Sequence, residues 1–238
     1  MDRRSLLTAA AVVPVTGLLL PEAAHAAPAG FNSTFNGSKA GWSNVRGTWT
    51  LKPGNLYSRG IPGMRVSTKR TGNYSDFYYA VRMRRRGNST GVAANALVVR
   101  GNPGSVDGTG NWKPSYLFQY ANQGWYSVWR INANGTEGAV VNWTRTSSVF
   151  STGYNFVEVW VDGDYLDFHI NGTHQWSGYD SALSFGQVGI SYYTEPSKTA
   201  ECFIDSASLT IIGSRREPCR LGAAGRAVPG GSINMAPR

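Results

Sequence analysis

The stretch VEVWVDGDYLDFHINGTHQW, residues 157–176, places four carboxylates, Glu158, Asp162, Asp164 and Asp167, within ten positions, and His169 follows closely. Two carboxyl groups about 5–5.5 Å apart are the machinery of a retaining glycosidase. A carboxylate within reach of an imidazole is an acid/base pair. Glu158, Asp167 and His169 are therefore the first catalytic candidates. Glu195 and Asp107 are further acids with no motif around them.

What these side chains can do depends on the elements that carry them. Val157, Val159 and Val161 alternate with Glu158 and Trp160, and Leu166, Phe168 and Ile170 alternate with Asp167 and His169. Period-two alternation predicts two strands with an apolar inner face. Two registers are open. With Asp162-Gly163 as the turn, Glu158 opposes Asp167, at a separation of about 4.5–5.5 Å between Cβ atoms, but Val161 then faces Asp164. With Gly163-Asp164 as the turn, glycine takes the first central position of a type II′ hairpin. Glu158 then opposes His169, Trp160 opposes Asp167, and Val159 opposes Phe168. Every inner pair is apolar and no like charges meet, so the second register is the expected one. Asn171-Gly172 is a second turn signal, which makes the region a three-stranded meander.

The rest of the chain reads the same way. Short alternating runs are separated by Gly, Asn and Asp, among 29 glycines in all. Strands are predicted over 47–51, 76–84, 93–100, 115–120, 125–131, 139–143, 155–162, 165–171, 187–192 and 202–211. Regularly spaced short strands predict an all-β, two-sheet antiparallel jelly-roll sandwich. Phe77, Tyr79, Val81 and Met83 form an inner face, with Tyr78, Ala80, Arg82 and Arg84 outside, because burying unpaired arginines is costly. Leu97 and Val99 face in and Arg100 faces out. The strands 115–120 and 125–131 carry aromatics on both faces, and a face bearing Gln and Arg beside aromatics suits a wet groove.

Three segments follow. Residues 1–26 carry Arg3-Arg4, an apolar run and Ala24-His25-Ala26, the pattern of a twin-arginine-type signal peptide cleaved near Ala26. That implies a secreted, extracellular or wall-associated bacterial protein, and no other segment is apolar enough for a membrane span. Residues 27–212 form one domain. Residues 213–238 are a basic Gly/Ala-rich tail that carries +4 of the formal +9, suited to loose attraction to an anionic surface polymer. The Arg84–Gly87 run favours anionic partners as well. No nucleic-acid motif is present. Cys202 and Cys219 are an even pair in an exported chain, which predicts one disulfide tethering the tail. Two cysteines with no nearby histidine make a poor zinc site.

The order of FNSTFNGSKAGWSNVRGTWTL, YSDFYYAVRMRR, ALVVRG, SYLFQY, GWYSVWRINANG, the acidic meander, QVGISYY and CFIDSASL resembles the concanavalin A-like lectin/glucanase superfamily over about residues 31–212. Within it, the chain looks most like the domain named for 3-keto-disaccharide hydrolases, and more loosely like laminin-G-type modules. The resemblance implies a concave sheet that binds a glycan or polysaccharide. On that reading the outward residues Tyr78, Arg82, Arg100, Gln119 and Arg130 line the concave sheet and Trp112 forms a rim platform. The resembled glucanases carry Glu-x-Asp-x-Glu on one strand. Here Trp160 follows Glu158, which argues for a lectin-like module over a hydrolase. A laminin-G-like cell-surface interaction module is the third alternative. No cofactor is required. The resemblance implies a structural calcium held in part by Asp205.

Overall fold

The computed structural model describes residues 28–87 and 93–213. The expected signal peptide, the tail beyond Gly213 and Cys219 lie outside the described residues. Within them the chain forms fifteen strands, and no helix is long and apolar enough to cross a membrane.

The strands are β1 (Phe31–Ser33), β2 (Trp42–Arg46), β3 (Trp49–Lys52), β4 (Asn55–Arg59), β5 (Met64–Arg70), β6 (Phe77–Gly87), β7 (Ala94–Gly101), β8 (Ser115–Ala121), β9 (Trp125–Ile131), β10 (Glu137–Arg145), β11 (Asn155–Asp162), β12 (Tyr165–Ile170), β13 (Thr173–Tyr179), β14 (Gln187–Thr194) and β15 (Ala200–Ile211). They make two antiparallel sheets. One runs β13-β12-β11-β6-β15-β4-β3, with β1 also on β15; the other runs β10-β9-β8-β7-β14-β5-β2. The inner faces meet in one apolar core. Phe77, Tyr79, Val81 and Met83 of β6 join Val157, Val159 and Val161 of β11 and Leu166, Phe168 and Ile170 of β12, all fully buried. Across from them stand Leu97, Val99, Tyr116, Phe118, Tyr120 and Val128. Alternation assigned these faces correctly.

The hairpin register is the expected one. Glu158 pairs with His169, Trp160 with Asp167 and Val159 with Phe168. Gly163 has φ +56, as the first position of a II′ turn requires. Asn171 and Gly172 both take positive φ between β12 and β13, the signature of a type I′ turn.

Two predicted placements need correction. Arg100 does not face out. Val98 pairs with Gly189 and Gly101 with Gln187, so two residues of β7 oppose one of β14. Arg100 takes φ +49 in this bulge and its side chain turns inward, 2% exposed. Its guanidinium donates to the carbonyls of Ser75, Leu183 and Gly163 and lies 3.6 Å from Asp76. It ties loops together at one end of the sandwich. Arg130 shares the inner side of β9 with Val128 and pairs with Asp180 at 2.8 Å. Cys202 is a free thiol among the described residues, on the inner face of β15 and fully buried in the core; Cys219, its expected partner, lies outside them.

Candidate functional site

The outer face of the seven-stranded sheet is built unusually. Ser67 opposes Ser191, Ser191 opposes Ala96, Ala96 opposes Gln119 and Gln119 opposes Ser127. One cross-strand row of mostly small side chains thus spans β5, β14, β7, β8 and β9. Small residues on a pleated face leave a trough, and larger groups lie across it. Arg65 of β5 reaches over, donating to Ser191 Oγ at 3.1 Å and to Gln119 Oε1 at 2.8 Å. Gln119 Nε2 donates on to Ser127 Oγ at 3.2 Å. Trp112 covers the other side and donates its indole N–H to Ser67 Oγ at 2.9 Å.

Trp112 therefore is not a rim platform. It is 1% exposed and packs with Ala96, Val98, Leu117 and Ile131 in a second apolar cluster outside the main core. Glycine makes room for it: a Cβ on Gly189 would lie 2.3 Å from the Trp112 ring. The loop joining β7 to β8 lies over the sheet edge, and the Arg65 amide donates to Thr109 O at 2.8 Å.

The open part of the trough is a cavity of about 250 Å³ lined by Arg65, Asn111, Leu117, Trp129, Glu137 and Tyr193, among others. Arg65 is 8% exposed. Both of its hydrogen-bond partners are neutral. Burial pushes its pKa down to about 10, against the pull of Glu137 and Asp107, so it stays cationic at neutral pH. Trp129 is half-buried, and its indole nitrogen is buried with no hydrogen-bond partner among the described residues. Glu137 is exposed and accepts from Asn111 Nδ2 at 2.7 Å. Asn111 is set by Asp107, whose carboxylate also accepts from the amides of Thr109, Gly110 and Asn111. The cavity thus offers an aromatic surface, a fixed cation, a carboxylate and an amide.

The other candidates lie on the opposite side of the molecule, on the outer face of the eight-stranded sheet. Tyr78 packs against Trp160 with ring centroids 4.2 Å apart and donates to Glu158 Oε1 at 2.6 Å. Glu158 is 8% exposed, so the tyrosine largely closes it off. Burial, then Glu158, raises the Tyr78 phenol well above its usual pKa. Asp167 Oδ1 lies 3.0 Å from His169 Nε2 and 3.4 Å from His174 Nε2. Trp160, Tyr165, Asp167 and His169 border a cavity of about 550 Å³. Arg82 pairs with Asp205 at 2.9 Å. Asp205 is the extra residue of a bulge in β15, between Ile204 and Ser206, and no group of three or more His, Cys, Asp or Glu side chains suited to a metal ion occurs among the described residues.

The expected binding set is therefore split. Tyr78 and Arg82 lie on one outer face and Gln119 on the other, while Arg100, Trp112 and Arg130 serve structure. Arg65, Asn111, Trp129, Glu137 and Tyr193 were missed. Trp129 had a signal, since alternation placed it opposite Val128. Arg65 had a weaker one, as a lone arginine beside the core residue Val66.

No family model matches the chain, and no curated protein matches it. Solved structures do. The carbohydrate-binding module CBM66 from Bacillus subtilis is similar at a TM-score of 0.54 and 19% identity, over 70% of this chain and 94% of that one. A Bacillus licheniformis beta-glucanase is similar at 0.61 and 10% identity, over 78% of this chain and 99% of that one. A prokaryotic beta-1,3-1,4-glucanase from a mouse hindgut metagenome is similar at 0.59 and 11% identity, over 77% and 100%. The fold is the concanavalin A-like jelly roll. At these identities the likeness is one of architecture. The jelly roll presents two outer faces, and each borders a cavity: the seven-stranded one the trough with Arg65 and Trp129, the eight-stranded one the cavity beside Trp160 and His169.

Proposed function

We propose that the chain is a carbohydrate-binding module that seats a glycan segment in the trough of the seven-stranded sheet. The observation that carries this is Arg65, nine-tenths buried on an outer strand face, fixed by two neutral partners and lining a cavity shared with Trp129 and Glu137. Ligand sites are concave, aromatic-lined and equipped with a few fixed polar groups. Trp129 offers its half-buried ring to the C–H face of a sugar. Arg65 and Asn111 donate to hydroxyl oxygens, and Glu137 accepts from hydroxyl protons. The fold neighbours include a carbohydrate-binding module and glucanases, which supports a carbohydrate ligand.

Binding without cleavage is the favoured form. Hydrolysis needs two carboxyl groups flanking the scissile bond. The carboxylate that lines the cavity is Glu137, and Asp107 nearby is saturated by donors from its own loop. The signal peptide expected over residues 1–26 would place such a module outside the cell, where it meets polysaccharide.

The test is retention on a panel of insoluble and soluble polysaccharides, followed by calorimetry on the ligand retained. Trp129→Ala and Arg65→Met should each weaken binding by about tenfold or more, while His169→Ala on the opposite sheet should bind as the parent does. Full affinity in both trough variants would overturn the assignment.

A further inference from the structure

The cavity on the eight-stranded face is built on residues that the trough does not use. Alternation sets its floor. Trp160 and Asp162 of β11 and Tyr165, Asp167 and His169 of β12 share the outer side of the two strands, with Trp160 opposite Asp167 and Asp162 opposite Tyr165. Ile212 and Gly213 add a wall, and the space enclosed is about 550 Å³. Tyr78 packs on Trp160 from the β6 side, with ring centroids 4.2 Å apart, and fixes the plane of the indole. Trp160 and Tyr165 are half-buried. Two aromatic rings and two carboxylates in one cavity suit a guanidinium, which stacks on an aromatic face and keeps its N–H edge for a carboxylate.

The counter-cations are missing from the described residues. No lysine or arginine among them forms an ion pair with Glu158, Asp162, Asp164 or Asp167, and Arg82, on the same outer face, is committed to Asp205. In a chain of formal charge +9, the hairpin is a local excess of negative charge. The cations come next along the chain. Trp160 and Thr210 both pair with Tyr78, from opposite sides, so the end of β15 stands two strand spacings, about 10 Å, from Trp160. The Ile212 amide still donates to Asp76 O at 3.3 Å, and Gly213, where the described residues end, lines the cavity. Arg215 and Arg216 follow at once, within about 7–11 Å of extended chain. So short a tether holds them at an effective concentration of about millimolar or more.

We propose that this cavity is the docking site of the chain's own tail, with Arg215 and Arg216 stacked on Trp160 and Tyr165 and paired with Asp162 and Asp167. The docked segment covers the eight-stranded face and leaves the trough as the open one. It also holds back the first two tail arginines from an anionic surface polymer, which has to compete with the cavity for them. None of this depends on what the trough binds.

The experiment records the indole N–H resonances of the full chain at pH 8 and low salt, and compares the parent with Arg215→Gln plus Arg216→Gln. The double variant should shift the Trp160 signal and leave Trp129 in place. Sodium chloride at about 1 M, where the Debye length falls to about 3 Å, should move the parent's Trp160 signal toward that of the variant. Argininamide titrated into the variant should move it back. Arg220→Gln plus Arg226→Gln, further along the tail, should leave Trp160 as in the parent. A Trp160 signal identical in the parent and the Arg215/Arg216 variant would overturn the proposal, as would an equal shift from the distal pair. A Trp160 signal that follows protein concentration and not these arginines would place a second copy on the face, and one that moves with added oligosaccharide would place a sugar there; either result overturns docking by the tail.

Discussion

At the scale of single residues, Asp107 shows how the trough is held open. Its carboxylate accepts from three backbone amides, from Thr109 Oγ1 and from Asn111 Nδ2. Burial alone would raise its pKa, but the hydrogen bonds from Thr109, Asn111 and Gly110 outweigh that and hold it below the usual 3.8. A carboxylate with a depressed folded pKa stabilises the fold fully above its unfolded value and loses that contribution as pH falls through the folded one. The wall that presents Asn111 to Glu137 should therefore stay intact at neutral pH and loosen only below about pH 3.8. Tryptophan fluorescence during acid titration reads this, and Asp107→Ala should show the loosened spectrum at neutral pH. An unchanged spectrum in that variant would count against the role. Asp107 was visible in the sequence as an acid without a motif; its five-bond network was not, because it depends on how a loop folds back on itself.

At the scale of elements, alternation recovered the inner faces because each buried strand repeats apolar residues at period two. It failed where the period breaks. The β7 bulge rotated Arg100 inward, and nothing in ALVVR marks an extra residue. β5 was missed because MRVSTKR mixes Val66 with polar and basic groups on both faces, yet it supplies Arg65. The trough was unreadable for a related reason: its floor takes one or two residues from each of five strands, and only the assembled register aligns them. Gly189 is the test at this scale. Its missing side chain admits the Trp112 ring, so Gly189→Ala should lift the tryptophan and destabilise the fold by about 1–3 kcal/mol. Denaturant unfolding checks this, and an unchanged midpoint would show that Trp112 is not packed on the strand.

At the scale of the whole molecule, one core supports two outer faces with different chemistry. The eight-stranded face holds the acidic hairpin, whose carboxylates have partners on the same face: Glu158 has Tyr78, and Asp167 has His169. The seven-stranded face holds polar groups that still have capacity. A sequence gives the parity of each strand but not which of two opposed sheets it joins, so residues destined for opposite sides of the molecule looked like one set. The core also shields Cys202, whose thiol burial pushes up to about 12. In a Cys219→Ser variant, Cys202 should resist thiol reagents at pH 8 until denaturant is added; rapid labelling of native protein would show that the sheets part readily.

The indole N–H resonances of the eight tryptophans report on both faces at once, with Trp129 in the trough and Trp160 on the opposite sheet. Titrating in the retained oligosaccharide should shift the Trp129 signal, whose indole nitrogen is unpartnered in the free protein, and leave Trp160 in place. A shift of Trp160 with Trp129 unmoved would contradict the account and place the site beside Asp167 and His169.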